Sequence, residues 1–178
     1  TDFIAVAAGG YHGYALRSDG SIVAWGADDF GQVSGAPAGA GFIAIAAGDY
    51  HGYALRADGS IEAWGRDDQG QVSGAPADTG YTAIEGGYLT GYALRADGSI
   101  AAWGTDAFGQ VSGAPTGAGF TAIAAGQYFM QALRADGSIA SWGGNIHNLV
   151  TNTPGGTGFV SIASGGNHAL AVRADGSI

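Results

Sequence analysis

The sequence predicts an all-β fold, a segment of a β-propeller made of four-stranded antiparallel blades. The first observation is a phrase that recurs every 39 residues along the 178-residue chain. The second is that each copy contains short β-prone runs separated by glycine-rich turns, and the third is that no apolar residues recur at helical spacing. Repeats of about 20–50 residues are typical of units that bury their apolar faces only against one another.

The period divides the chain into four full repeats and half of a fifth, which we treat as a single repeat domain over residues 1–178. The full repeats cover residues 3–41, 42–80, 81–119 and 120–158, and the half repeat covers residues 159–178. Each opens on an aromatic residue: Phe3, Phe42, Tyr81, Phe120 and Phe159. Because the half repeat lacks its last two strands, we expect either a segment of a longer propeller or a ring completed by self-association with other chains.

The second repeat shows the predicted elements in order. Phe42–Ala47 and His51–Arg56 are short β-prone runs, and Asp58-Gly59 between apolar strands predicts a two-residue hairpin turn of type I′. Ile61–Gly65 is the third predicted strand. After the loop 66–70, Gln71–Gly74 is predicted as a short fourth strand, which the following proline ends.

The charge balance is acidic and argues against nucleic-acid binding. The chain has 15 Asp and Glu residues against six Arg and no Lys, which gives a net charge of −9. Five arginines occupy one position per repeat: Arg17, Arg56, Arg95, Arg134 and Arg173. Nucleic-acid binding needs clustered cations that displace phosphate counterions, and these cations are spread out. The acidic field favours a basic partner or simple solubility.

Positions that never vary between repeats are expected to build the fold. The tryptophans at one position per repeat are predicted to pack between blades, with ligand stacking as the alternative: Trp25, Trp64, Trp103 and Trp142. The Asp-Gly pairs are predicted to form turns, with a metal site as the less favoured alternative. His12, His51 and His168 start the second strand of their repeats, and a hydrogen-bonded structural role is expected, because residues one blade apart are too distant to share a metal.

Positions that vary cluster in two loops per repeat, one after the first strand and one after the Trp-Gly pair. Both loops follow strands that run in the same direction, so they should emerge on one face of the disc. Aromatic residues supply buried area at low entropic cost, and acids select a complementary partner. The predicted partner-binding residues are Tyr11, Tyr50, Tyr88, Tyr128, Phe129, Phe30, Phe108, Asp28 and Asp67. Packing between neighbouring loops is the alternative role of the aromatic residues, and a solvated rim that of the acids.

Catalysis, cofactors and membrane insertion find no support in the sequence. It has no cysteine, no nucleophile-elbow serine, no metal-binding histidine pair at helical spacing and no phosphate loop with a lysine. No run of about 18 apolar residues is present. We therefore expect a protein that is not an enzyme, with no cofactor, no metal and no membrane span.

The phrase from Ile45 to Gly65, continued by Gln69-Gly70-Gln71, resembles the repeat of the regulator of chromosome condensation superfamily. The resemblance covers essentially the whole chain, and the Asp-Gly-x-x-x-x-Trp-Gly core is fairly specific. Within the superfamily, the compact repeat and its Val-Ser-Gly-Ala-Pro ending are most similar to the β-lactamase inhibitor protein II type of β-propeller. That resemblance implies a secreted bacterial protein that inhibits a class A β-lactamase. The inhibitor type is a seven-bladed ring, whereas this chain has fewer than five repeats.

Three function classes follow. The first is a protein-binding module that uses one loop face, in its sharpest form a β-lactamase inhibitor. The second is a structural or self-assembling repeat scaffold, natural or engineered, which the near-identity of the repeats favours. The third is a nucleotide-exchange or chromatin-binding factor. The acidic charge and the lack of a basic tail argue against the third class.

Overall fold

The computed structural model describes residues 2–178, and these form fourteen β-strands in five antiparallel sheets with one short 3₁₀ helix, Ile146–Asn148. The first two sheets contain β1 Phe3–Ala8, β2 His12–Arg17 and β3 Ile22–Gly26, then β4 Phe42–Ala47, β5 His51–Arg56 and β6 Ile61–Gly65. The next two contain β7 Tyr81–Gly86, β8 Thr90–Arg95 and β9 Ile100–Gly104, then β10 Phe120–Ala125, β11 Phe129–Arg134 and β12 Ile139–Gly143. The last sheet contains β13 Phe159–Ser164 and β14 Ala169–Arg173.

The sheets follow one another around a common axis, as blades of a propeller do. The first strands of successive sheets contact one another and are therefore innermost, with the second and third strands outside them. In the second blade Phe42 pairs with Arg56, and an irregularity between Phe42 and Ala44 shifts the register before Ala47 pairs with Gly52. The prediction of an all-β fold of antiparallel sheets is confirmed.

The predicted fourth strand of each blade is wrong. Residues 70–75 form a helical turn instead, because the Gly74 amide donates to the Gly70 carbonyl at 3.0 Å and the Ala75 amide donates to the Val72 carbonyl at 3.1 Å. The Asp67 carboxylate closes this turn by accepting the amides of Val72 and Ser73, both at 2.8 Å. Side-chain acceptors of this kind compete with sheet pairing. The blades are consequently three-stranded.

The predicted type I′ hairpin is also wrong in detail. The Gly59 amide donates to the Arg56 carbonyl and the Arg56 amide to the Ser60 carbonyl, which defines a three-residue loop over residues 57–59. Gly59 has a φ of +79°, the left-handed conformation that follows a type I turn in such loops. The aspartate supports the turn through the Ser60 amide at 2.9 Å. The glycine requirement was predicted correctly, but the loop is one residue longer.

Three of the four tryptophans at this repeat position connect neighbouring blades, as predicted. Trp64, Trp103 and Trp142 are buried, and each indole N–H donates to a glutamine carbonyl of the preceding blade; for Trp64 the acceptor is Gln32, at 3.0 Å. The tyrosine on the second strand of the preceding blade lies against the indole and shares the same acceptor, as Tyr14 does at 2.7 Å. Trp25, in the first blade, is half exposed.

The arginine of each repeat lies over the aromatic ring that opens the same repeat. In the second blade the Arg56 guanidinium carbon is 4.1 Å from the centre of the Phe42 ring, and the other four repeats have the same pair. These cations are therefore engaged at the hairpin end of the blades. Among the described residues, no helix is long and apolar enough to cross a membrane.

Candidate functional site

Six aromatic side chains form a continuous row on the loop face of the propeller. We name them the aromatic row: Tyr11, Tyr50, Tyr88, Tyr128, Phe30 and Phe108. Ring centres are 5.5 Å apart for Tyr11 and Tyr50, 6.2 Å for Tyr50 and Tyr88, and 5.3 Å for Tyr88 and Tyr128. The four tyrosines come from four successive blades, so the row exists only in the folded propeller.

Two phenylalanines flank the tyrosines. Phe30 contacts Tyr50 at 5.5 Å between ring centres and Phe108 contacts Tyr128 at 5.6 Å, each with one ring edge against the face of the other. Phe30 is 45% exposed and Phe108 is 53% exposed. The two loops of neighbouring blades therefore meet on one face, as the strand directions predict, and part of the aromatic surface remains accessible to a partner.

The repeat period alone does not place Tyr88 in this row. Tyr11, Tyr50 and Tyr128 share one repeat position, but the third blade has Leu89 there, and Leu89 is buried. Tyr88 precedes it by one residue, and its amide donates to the Gln127 carbonyl of the next blade at 3.2 Å. This bond fixes the Tyr88 backbone beside the fourth blade, and its ring bridges Tyr50 and Tyr128.

The flanking phenylalanines are held by hydrogen bonds within their loops. The Phe108 amide donates to the buried Gln110 side chain at 2.7 Å, and the Phe30 amide donates to the Gln32 side chain at 2.8 Å. The Asp28 carboxylate accepts the amides of Val33 and Ser34. The rings are thus presented by closed turns rather than by long free loops.

The two predicted acidic residues, Asp28 and Asp67, stabilise the turns in which they lie. Backbone hydrogen bonds from Ser34 and Val33 lower the pKa of Asp28, because they stabilise its charged form. Asp67 holds the equivalent turn of the second blade. Both side chains are at the surface, and their contact with a partner stays a prediction.

The structure places Phe129 in the interior rather than in the aromatic row. It is 1% exposed and occupies the position that His12 and His51 have in the first two blades. A side chain on Gly126 would overlap the Phe129 ring, so this glycine makes room for it. In this conformation a partner cannot reach Phe129.

The histidines at this position are also mostly internal. His51 is fully buried, its ring nitrogen lies 3.3 Å from the Thr90 carbonyl, and burial lowers its pKa to about 4. His12 is buried without a side-chain partner, and His168 is exposed. Within residues 2–178, no group of three or more His, Cys, Asp or Glu side chains could hold a metal ion.

A funnel of about 300 Å³ opens on the same face, where the innermost strands end. Its wall consists of small residues and of the side chains of Asp49, Tyr88 and Gln127. Burial raises the pKa of Asp49, and no ion pair reaches its carboxylate from the described residues. Glu85 lines a second cavity of about 240 Å³ along the innermost strands, and burial raises its pKa to about 7.

Sequence reasoning missed Arg66, Asp49 and Glu85. Arg66 lies over Phe30 and Tyr50, with its guanidinium carbon 4.9 and 5.3 Å from their ring centres, and its Nε donates to Asp68 at 2.9 Å. One signal was available: these are charged residues at positions where other repeats have uncharged ones. Arg66, for example, aligns with Ala27, Thr105 and Gly144.

Two segments of the chain, residues 3–32 and 42–71, match the family described as Regulator of chromosome condensation (RCC1) repeat. No curated protein matches the chain significantly in sequence.

Solved structures show a similar fold. The ectodomain of the receptor kinase CR4 from Physcomitrella patens aligns with a TM-score of 0.81 at 22% identity, over 99% of this chain and 48% of that one. The ectodomain of the receptor kinase ACR4 from Arabidopsis thaliana gives 0.77 at 20% identity, over 99% and 63%. Prp20p from Saccharomyces cerevisiae gives 0.77 at 22% identity, over 97% and 55%. The chain thus spans between about half and just under two thirds of these proteins and shares their propeller fold.

Proposed function

We propose that this chain is a protein-binding propeller module that uses its loop face. The observation that carries the proposal is the aromatic row, in which rings from four blades meet beside a funnel with an unpaired carboxylate, and in which Tyr11, Phe30 and Phe108 are exposed. Central aromatic residues dominate the affinity of many protein interfaces. The blade framework repeats closely, whereas these face residues differ from blade to blade.

The sharper form of the proposal is a secreted bacterial inhibitor of a class A β-lactamase. The resemblance of the repeat phrase supports it. A protruding loop of the enzyme would lie across the aromatic row, with Tyr50 and Phe108 as anchors.

A binding titration tests this function. Phe108→Ala should weaken binding by at least about 2 kcal/mol, the threshold for a hot spot, and Tyr50→Ala should do the same. Ile43→Ala is the matched control, because Ile43 and Phe108 are both 53% exposed and Ile43 lies near the opposite, hairpin end of its blade. Equal losses from Phe108→Ala and Ile43→Ala would contradict the assignment of the face.

The titration needs a panel of partners. It includes class A β-lactamases and histones, because the yeast structure was described together with its binding properties to Gsp1p and histones. Binding to a β-lactamase supports the inhibitor, and binding to histones supports the chromatin class. If no protein of the panel binds, the proposal of a binding function for the loop face is refuted and the scaffold hypothesis is favoured.

Assembly is the second candidate function, and a cavity favours it. A cavity of about 220 Å³ beside β14 is lined by Gln131, Leu149, Asn152 and Thr153. These residues occupy the repeat positions of Tyr14, Gln32, Gly35 and Ala36, which surround Trp64 in the interface between the first and second blades. The cavity beside β14 therefore has the lining that receives an indole in the first interface, and in a scaffold a tryptophan-bearing strand of another chain would fill it. Sedimentation separates the two functions, since a self-assembling scaffold forms a discrete oligomer and a monomer would contradict self-association.

A further inference from the structure

The aromatic row contains two copies of the same ring arrangement. Phe30 with Tyr50 and Phe108 with Tyr128 occupy matching positions two repeats apart. Their ring centres are 5.5 and 5.6 Å apart, and their planes meet at 77° and 73°. The two pairs therefore present nearly the same aromatic surface to a ligand.

The first pair already binds a cation of this chain. The Arg66 guanidinium carbon lies 4.9 Å from the centre of Phe30 and 5.3 Å from that of Tyr50. Both distances fall within the roughly 6 Å over which a cation is attracted to a ring face. Asp68 holds the guanidinium in place through a hydrogen bond of 2.9 Å to Nε.

The second pair has no such cation of its own. Gly144 occupies the repeat position of Arg66. A Cβ atom on Gly144 would lie 3.1 Å from the Tyr128 Cβ and 3.6 Å from the Phe108 Cβ, so this position faces the pair. No arginine of residues 2–178 lies over Phe108 or Tyr128. Phe108 is 53% exposed, which leaves its ring open to a ligand.

The surrounding charge favours a cation at the second pair. Tyr128 contacts Tyr88, which lines the funnel together with the unpaired carboxylate of Asp49. The chain as a whole carries a net charge of −9. Arginine suits such a surface better than lysine, because its planar guanidinium stacks on rings and is more weakly hydrated.

We propose that the pair formed by Phe108 and Tyr128 binds an arginine side chain of a protein partner, in the arrangement that Arg66 adopts on Phe30 and Tyr50. The inference rests on the proposed protein-binding function and adds the chemistry of one contact.

The test titrates acetyl-arginine amide into the full chain and follows the ring resonances by NMR. Acetyl-citrulline amide is the matched probe, since it has nearly the shape of arginine without the charge. Arginine should shift the resonances of Phe108 and Tyr128, and citrulline should bind roughly five-fold more weakly. Equal binding of the two probes, or shifts confined to other residues, would overturn the proposal.

Two variants exploit the internal duplication. Gly144→Arg should abolish arginine binding by filling the second pair from within the chain. Arg66→Ala should open the first pair, so that Phe30 and Tyr50 also shift and two arginines bind. If Gly144→Arg does not fold, Phe108→Ala at the exposed ring serves instead and should also abolish binding. Retained binding in the folded variant would overturn the proposal.

The outcome is separable from that of the proposed function, because the probe needs no partner. If acetyl-arginine amide binds at Phe108 and Tyr128 but no protein of the partner panel binds, the protein-binding function is refuted and the arginine site is kept. A protein partner whose affinity is unchanged by Gly144→Arg would keep the function and refute the site.

Discussion

Replacing Trp64 and Trp25 by alanine compares one residue type in two environments of the same fold. Trp64 is 6% exposed and Trp25 is 50% exposed. A tryptophan buries about 200 Å², which at about 25 cal/mol per Å² corresponds to roughly 5 kcal/mol. Measured truncations of buried tryptophan cost about 3–5 kcal/mol. We therefore expect a loss of about 4 kcal/mol in the free energy of unfolding for Trp64→Ala and about half of that for Trp25→Ala.

Loss of the indole hydrogen bond adds little to the cost for Trp64. Its acceptor, the Gln32 carbonyl, keeps the hydroxyl of Tyr14 at 2.7 Å and is not left without a partner. Urea unfolding followed by circular dichroism measures both variants. For a chain of this size, about 4 kcal/mol lowers Tm by roughly 8–16 °C. Equal losses for the two variants, or a loss below about 1 kcal/mol for Trp64→Ala, would refute the role of the indole as the connection between blades.

Two further predictions concern charged groups. The folded pKa of Glu85 is about 7, above its ordinary value of 4.5, so stability is lost as the pH rises from about 4.5 to 7; Glu85→Gln should add roughly 1–2 kcal/mol at pH 8, allowing for solvent screening, and nothing at pH 4. A gain of the same size at both pH values in urea titrations would contradict this. Asp106→Ala removes the acceptor of the Val111 and Ser112 amides and should lower stability by about 1–2 kcal/mol, with faster hydrogen exchange at both amides. Asp29→Ala is the control, and unchanged exchange in Asp106→Ala would argue against the turn closure.

The framework could be predicted from the sequence because each element is copied several times. Trp64 and Asp58-Gly59 recur at a constant spacing, so the role inferred for one copy applies to the other copies, with Trp25 of the first blade as the exception. The prediction of a fourth strand was wrong for a local reason. Val72 and Ser73 have strand-like neighbours, but the Asp67 carboxylate five residues before Val72 captures their amides and turns the chain.

The candidate site was predictable only in part, because it depends on contacts between repeats. Tyr50 and Phe108 were selected because their repeat positions vary; Phe108 is exposed and Tyr50 is half-buried, and their contact with a partner stays a prediction. Phe129 varies in the same way, yet it fills an internal position that histidine occupies elsewhere. Variation at one repeat position therefore shows only that the fold tolerates different side chains there, and burial of the side chain decides whether a partner can reach it.

The bonds that connect the blades and the side chains of the loop face vary independently, and this explains how one chain has an arginine on one aromatic pair and none on the other. Arg66 and Gly144 occupy equivalent backbone positions in the second and fourth blades, since each follows the glycine that ends the third strand of its blade. Two side chains differ between the two sites: Arg66 and the Asp68 that holds it correspond to Gly144 and Ile146, so the first aromatic pair has a cation of this chain and the second pair has none. The framework bonds through Gln71 and Gln110 are the same in either case. Binding specificity on such a face can change one blade at a time without cost to the interfaces between blades.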